Sequence, residues 1–129
     1  MKLFDGIRAA FTFRPNRVTA TANGSSVDTQ GFRDGMVVLE VGTVSGTSPT
    51  LAVRLQDSPD NSTFTDIPGA VFTTVTASNN TQVLRLRELN VARARFVRAV
   101  ATIGGTTPSY DFGCEILMGE PYAGPVNND

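Results

Sequence analysis

The sequence predicts an all-β protein: an antiparallel β-sandwich, jelly-roll-like, of about eight strands. Three observations predict it. Alternating apolar and polar residues recur from Val18 onward, with the period of two of a half-buried strand. Clusters of Gly, Pro, Ser and Asn separate these runs at regular intervals, and twelve glycines and seven prolines suit a turn-rich chain. No segment after residue 15 has a helical period, and no internal repeat suggests a propeller or solenoid.

The elements follow in order. Residues 1–15 differ from the rest and are expected to form an N-terminal arm. Leu3, Phe4, Ile7, Ala10 and Phe11 suit one short amphipathic helix, whereas the alternation of Phe11 and Phe13 suits a strand. Pro15 biases Arg14 away from helical angles and ends any helix there. The sandwich is expected over residues 16–120. "VTATA" (18–22) is β-branched and alternating, and "SSVDTQGF" (25–32) is a short extended piece. "MVVLEVGTV" (36–44) is a strong strand, closed by the cluster "SGTSP". "TLAVRLQD" (50–57) sets Leu51, Val53 and Leu55 against Ala52, Arg54 and Gln56. "AVFTTVT" (70–76) leads to the turn "ASNN". "TQVLRLREL" (81–89) places Leu84 and Leu86 opposite Arg85 and Arg87. "ARFVRAVATI" (94–103), the cluster "GGTTP" and "SYDFGCEILMG" (109–119) complete the domain. Residues 121–129 form a tail without periodicity.

Composition narrows the chemistry. The 129 residues match one domain, with 40% hydrophobic and 18% charged residues and a formal net charge of −1. A nucleic-acid partner would ask for a clustered basic excess, and none is expected. No run approaches the roughly 18 apolar residues of a helical membrane span, so no membrane partner is expected either. The N-terminus is no secretory signal, because Asp5 and Arg8 interrupt its apolar run; synthesis in a cytoplasm is expected. The absence of histidine removes Ser-His-Asp and Cys-His catalysis, and with a single cysteine, Cys114, it removes zinc spacing. Cys114 lies in an apolar run and reads as a buried, inert thiol. "IGGTTP" lacks the lysine of a phosphate-binding loop. Asp28, Asp34, Glu40, Asp111 and Glu115 could serve a two-carboxylate hydrolase, but nothing in the sequence pairs any two. The chain is read as no enzyme, with no cofactor and no metal.

The acidic stretch "RLQDSPDNSTFTDIPG" offers Asp57, Asp60, Asn61 and Asp66 as oxygen donors for a cation or a sugar. It lacks the D-x-D-x-D-G rhythm, and Pro59-Asp60-Asn61 is a good turn formula, so a hairpin is expected. Arg85, Arg87, Arg93, Arg95 and Arg98 lie close together in sequence, and the chain holds ten arginines against one lysine, Lys2. They read either as a solvated sheet face or as a contact surface, since Arg is enriched at interfaces.

Three stretches in this order carry a resemblance: "SSVDTQGFRDGMVVLEVGTVSG", "LAVRLQDSPDNSTFTDIPG" and "RARFVRAVATIGG", with the closing "ILMGEPYAGP". Together they resemble small virion proteins of tailed bacteriophages, of the capsid decoration (cement) type, over residues 25–125. The resemblance implies a non-enzymatic protein on the capsid exterior that bridges subunits of the major capsid protein, often as a homotrimer. Phe4, Ile7, Phe11 and Phe13 are the expected contact residues of the arm, with Arg85, Arg87, Arg95 and Arg98 as a second set. The alternatives are a neck, tail or head-fibre component, or a glycan-binding module displayed on the virion. The hairpin and the "RFVR" strand also loosely resemble discoidin-like sandwich modules that bind sugars or lipids. For such a module the chain is short of aromatic platforms, with Tyr110 and Tyr122 and no tryptophan.

Overall fold

The computed structural model describes residues 8–86 and 94–121. These residues form seven strands and no helix: β1 (Arg8–Val18), β2 (Ala22–Asn23), β3 (Val27–Asp28), β4 (Phe32–Ser58), β5 (Thr65–Val71), β6 (Asn80–Leu86) and β7 (Phe96–Pro121). Every pairing among them is antiparallel. The expected all-β class and antiparallel, sandwich-like layering are therefore present.

Two strands organise the rest. β4 and β7 pair along their whole length, from Phe32 opposite Pro121 to Ser58 opposite Phe96. One half of this ribbon is flanked by β6 and β1, giving the order β6-β4-β7-β1. The other half is flanked by β5 on one side and by β2 and β3 on the other. The inner side chains of both halves belong to a single core, built from Val37, Leu39, Val41, Leu51, Val53, Leu55, Val97, Ala99, Phe112, Cys114 and Ile116 among others. A ribbon whose same face is buried at both ends has to bend back on itself, as strands do at the corner of a sandwich.

Three register shifts between β4 and β7 mark the bend. Shifts fall between Val41 and Val44, between Ser45 and Thr47, and between Thr47 and Thr50. The first and third insert an extra residue into β4, and the second inserts one into β7. Two insertions in β4 cancel, so odd positions are buried in both halves (Val37, Leu39 and Val41; Leu51, Val53 and Leu55). One insertion in β7 does not cancel, so burial moves from odd (Val97, Ala99, Ala101) to even (Tyr110, Phe112, Cys114, Ile116).

"SGTSP" and "GGTTP", expected as turns ending separate strands, are thus the two sides of one corner. They are near copies, and they cross symmetrically. A side chain added at Gly46 would lie 2.7 Å from the Thr107 carbonyl oxygen, and one added at Gly105 would lie 2.7 Å from that of Ser48. Gly46 and Gly105 have φ of 112° and 108°, and Ser48 and Thr107 follow at 48° and 46°. A β-branched residue seldom adopts such angles. Here Thr107 is held by the ladder on either side.

Tyr110, fully buried, closes the core beneath the corner, and its hydroxyl donates to the Val75 carbonyl at 2.7 Å. Burial raises its pKa, so it stays a donor. That carbonyl also accepts from the Leu51 N–H, so replacing Tyr110 with Phe removes one of its two hydrogen bonds and is expected to cost about 1 kcal/mol. Urea denaturation should show this as a lower midpoint with an unchanged slope.

The expected arm, residues 1–15, overlaps β1. From Arg8 onward the chain is paired with β7. Residues 1–7 lie outside the described residues, as do 87–93 and 122–129. Thr12 falls at a register shift of β1, between Phe11 (opposite Glu115) and Phe13 (opposite Cys114). The extra residue turns the buried Thr12 side chain inward, where its hydroxyl oxygen accepts from the Ala99 N–H at 2.9 Å.

Candidate interaction surfaces

The bulge at Thr12 also decides what β1 presents. In an unbroken strand Phe11 and Phe13 would share a face. Here Phe13 joins the core against Phe112, with ring centroids 5.1 Å apart, while Phe11 faces outward. The Arg14 guanidinium lies 5.6 Å from the centre of the Phe11 ring.

Phe11 is one wall of a groove of about 660 Å³ on the outer face of the sheet β6-β4-β7-β1. Pro15, Val38, Gly42, Gly113, Glu40 and Glu115 also line it. Gly113 forms the floor because Pro15 packs onto it; an added side chain would meet the Pro15 ring at 3.1 Å. At one end Arg17 donates from Nε to Asp111 Oδ1 at 3.0 Å, and this hydrogen bond holds the Asp111 carboxyl below its ordinary range. Glu40 and Glu115 have no ion-pair or hydrogen-bond partner among the described residues. Beyond the groove the same face continues through Leu117, Met36, Val83 and Arg85. Met36 is 40% exposed and Val83 54% exposed, which is unusual for large apolar side chains on a sheet centre or edge.

The outer face of the other half carries a different chemistry. Asp66 Oδ1 accepts from Gln56 at 2.8 Å and from Arg54 at 3.0 Å. Arg98 donates twice to Gln56 Oε1 and lies 3.9 Å from the centre of the Phe64 ring. Arg95 forms a two-pronged pair with Asp28 at 2.8 Å and sits 4.9 Å over Phe96. The hydrogen bond from Arg95, foremost, holds Asp28 below its ordinary range; that from Gln56 does the same for Asp66. These depressed carboxyls contribute stability above the ordinary carboxylate range that is lost as pH falls through their lowered values. The pairs are largely exposed, so solvent screens that contribution.

The acidic stretch is a hairpin between β4 and β5, with Asn61 at φ 60°. Its carboxylates diverge. Asp60 accepts from the Thr63 and Ser62 N–H groups and from the Ser58 hydroxyl, and the Thr63 bond leads in lowering its pKa. Asp57 accepts from Ala94 N–H across the molecule, and Asp66 turns to Gln56 and Arg54. Each oxygen set is hydrogen-bonded to a different part of the fold.

Of the residues expected to make contacts, Phe11 and Arg85 lie on the outer face of the first half and Phe13 lies inside. Arg95 and Arg98 lie on the second half, each stacked on a phenylalanine. Phe4, Ile7 and Arg87 lie outside the described residues. Among the described residues, Arg85 therefore lies on a different half from Arg95 and Arg98. The groove residues Val38, Glu40 and Glu115 were not singled out as contacts, because only the register of β4 against β7 brings them together. Cys114 is fully buried, and burial pushes its thiol up to about 12.

The sequence matches no family model. It matches no curated protein either. The fold does have counterparts among solved structures. The SPBc2 prophage-derived protein YomS is 11% identical, with a TM-score of 0.53, over 88% of this chain and 93% of that one. The PBSX exported protein XepA is 12% identical, with a TM-score of 0.59, over 95% of this chain; the match spans 40% of XepA. A protein of the Bacillus endospore appendages, described as disulfide-linked pili, is 13% identical, with a TM-score of 0.50, over 90% and 89% of the two chains. At such identities the likeness is one of fold.

Proposed function

We propose that the protein is a non-enzymatic structural component of a phage or prophage-derived particle, which decorates the capsid exterior and stabilises it by bridging subunits of the major capsid protein. One conjunction carries the reading. The sandwich is shared over most of the chain with the prophage-derived protein YomS and with the PBSX exported protein XepA. Independently, three ordered sequence motifs resemble those of phage head proteins. The chemistry of the surface agrees with a passive role. Among the described residues Asp28, Asp57, Asp60, Asp66 and Asp111 are committed to structural partners, and the Cys114 thiol is buried. A protein that binds only the assembled lattice stabilises it by mass action, and repeated attachment multiplies modest affinities.

Copy number per purified particle tests this. Hundreds of copies, lost together with resistance of the shell to heat or chelation when the gene is deleted, are the expected result. A dozen or so copies would move the protein to a neck or tail position. Absence from particles would overturn the reading.

A further inference from the structure

β6 carries an open edge. It pairs with β4 through seven consecutive residues without a register shift, and no other described strand pairs with it. Its inner face is tied to the opposite layer: Gln82 Nε2 donates to the Thr73 carbonyl and Gln82 Oε1 accepts from the Thr73 N–H, both at 2.8 Å. The strand is thus held in place, while the half of its backbone N–H and C=O groups that points away from β4 has no described strand beside it. The other margins of the sheet are blunted. β1 is broken by the Thr12 bulge and Pro15, and the Thr12 carbonyl already accepts from the Ser25 N–H at 2.7 Å. β5 holds Pro68, Gly69 and a register shift against β4. β2 and β3 have two residues each. β6 has no proline, no glycine and a single charge, Arg85. Such an edge is a template for another strand.

We infer that this edge pairs antiparallel with the β6 of a second copy, about a two-fold axis at Val83, so that two sheets become one. The outward side chains select both that partner and that register. Thr81, Val83 and Arg85 share the outer face. About an axis at Val83 the two Val83 side chains, each 54% exposed in the single chain, cover one another. Arg85 lies opposite the partner's Thr81, and the next residue in that row is the partner's Glu40, because Glu40 pairs with Thr81. Two strand spacings, about 10 Å, separate Arg85 from that glutamate, and the small threonine between them lets the guanidinium reach the carboxylate. Symmetry repeats the pair. Within the chain neither Arg85 nor Glu40 has an ion-pair or hydrogen-bond partner among the described residues, whereas Asp34, which shares a cleft with Arg85, has a partner of its own. An axis at Arg85 would instead set two guanidiniums against each other. A second copy therefore supplies the backbone hydrogen bonds and matches both unpaired charges at once, which singles it out among strands that could add here. The inference concerns the purified protein and does not depend on where in a particle it resides.

Sedimentation equilibrium from about 1 µM to about 1 mM should show a dimer that dissociates on dilution. Cysteine placement reads the register. Val83→Cys is expected to give a covalent dimer under mild oxidation, because the axis brings the two positions together. Thr81→Cys and Arg85→Cys, each about 14 Å from its own copy, should not. Val83→Lys sets two like charges opposite each other and should weaken the dimer at least about tenfold. Arg85→Glu and Glu40→Arg should each weaken it, and the double exchange should restore it. Glu40, Thr81, Val83 and Arg85 are all exposed, so an unchanged melting temperature confirms that the fold is intact. A wild-type protein that stays monomeric throughout the range overturns the inference and leaves the edge to a strand of another protein. A dimer indifferent to Val83→Lys assigns the contact to another surface and overturns it too. So does cross-linking of Thr81→Cys or Arg85→Cys as complete as that of Val83→Cys.

Discussion

Replacing Gly105 or Gly46 with Ala should be among the most damaging single changes in the chain, at about 3 kcal/mol each and roughly 10 °C in melting temperature. Two costs combine. Left-handed backbone angles cost an L-residue about 1–2 kcal/mol, and forcing packed backbone apart costs about 1–3 kcal/mol. At Gly105 the new methyl would meet the Ser48 carbonyl oxygen and Pro49 Cα at 2.7 and 2.9 Å, and neither is the end of a flexible side chain. Gly31 and Gly69 provide the control. Both have positive φ, 91° and 78°, but nothing lies within 4 Å of an added side chain. Alanine there carries only the first cost. If Gly105→Ala proves no worse than Gly31→Ala in chemical denaturation, the tight crossing at the corner is not what holds the ribbon folded.

Truncation into β1 should be severe. Removing residues 1–7 leaves every described pairing of the sheet in place. Removing residues 1–13 deletes half of β1. The Ala99 N–H loses its Thr12 acceptor in the interior, worth about 1–3 kcal/mol. Phe112 loses Phe13, worth about 1.5–3 kcal/mol of burial. The edge of β7 over Cys114–Met118 is also uncovered and open to pairing with other chains. Loss of cooperative unfolding and light scattering at moderate concentration are the expected signs. A soluble, cooperatively folding 14–129 fragment would show β1 to be dispensable. A deletion into β1 would therefore confound attachment to a particle with folding.

Both expectations rest on features that differ in how plainly the sequence displays them. The strands themselves were legible. Leu51, Val53 and Leu55, like Leu84 and Leu86, point inward as their alternation demands, because period two is a direct consequence of strand geometry. The hairpin at Pro59-Asp60-Asn61 was legible too, since its turn is made by local hydrogen bonds. The corner was not. Gly-Thr-Ser-Pro and Gly-Thr-Thr-Pro have the same local chemistry whether a chain reverses on itself or bends beside a partner, and the partner is about sixty residues away. The Thr12 bulge was hidden for a similar reason: one unpaired residue leaves no compositional trace, yet it separates Phe11 from Phe13. The groove depends on both. Val38, Glu40 and Glu115 become neighbours only once the register of β4 against β7 is set.

That long ribbon has a consequence for how the chain comes into being. β7 pairs with β1, β2, β3 and β4, and it is synthesised after all of them. Until it leaves the ribosome, β1 to β3 have no strand to lie against and the inner face of β4 is uncovered. Nearly all pairing is between residues distant in sequence, so loop closure must precede any reward and folding is expected to be slow. Before β7 emerges, only the pairings of β4 with β5 and β6 are available, and β1 to β3 stay unpaired. A ribosome stalled before Phe96 should hold a chain fully open to protease, and one stalled well beyond Pro121 should hold a protected domain.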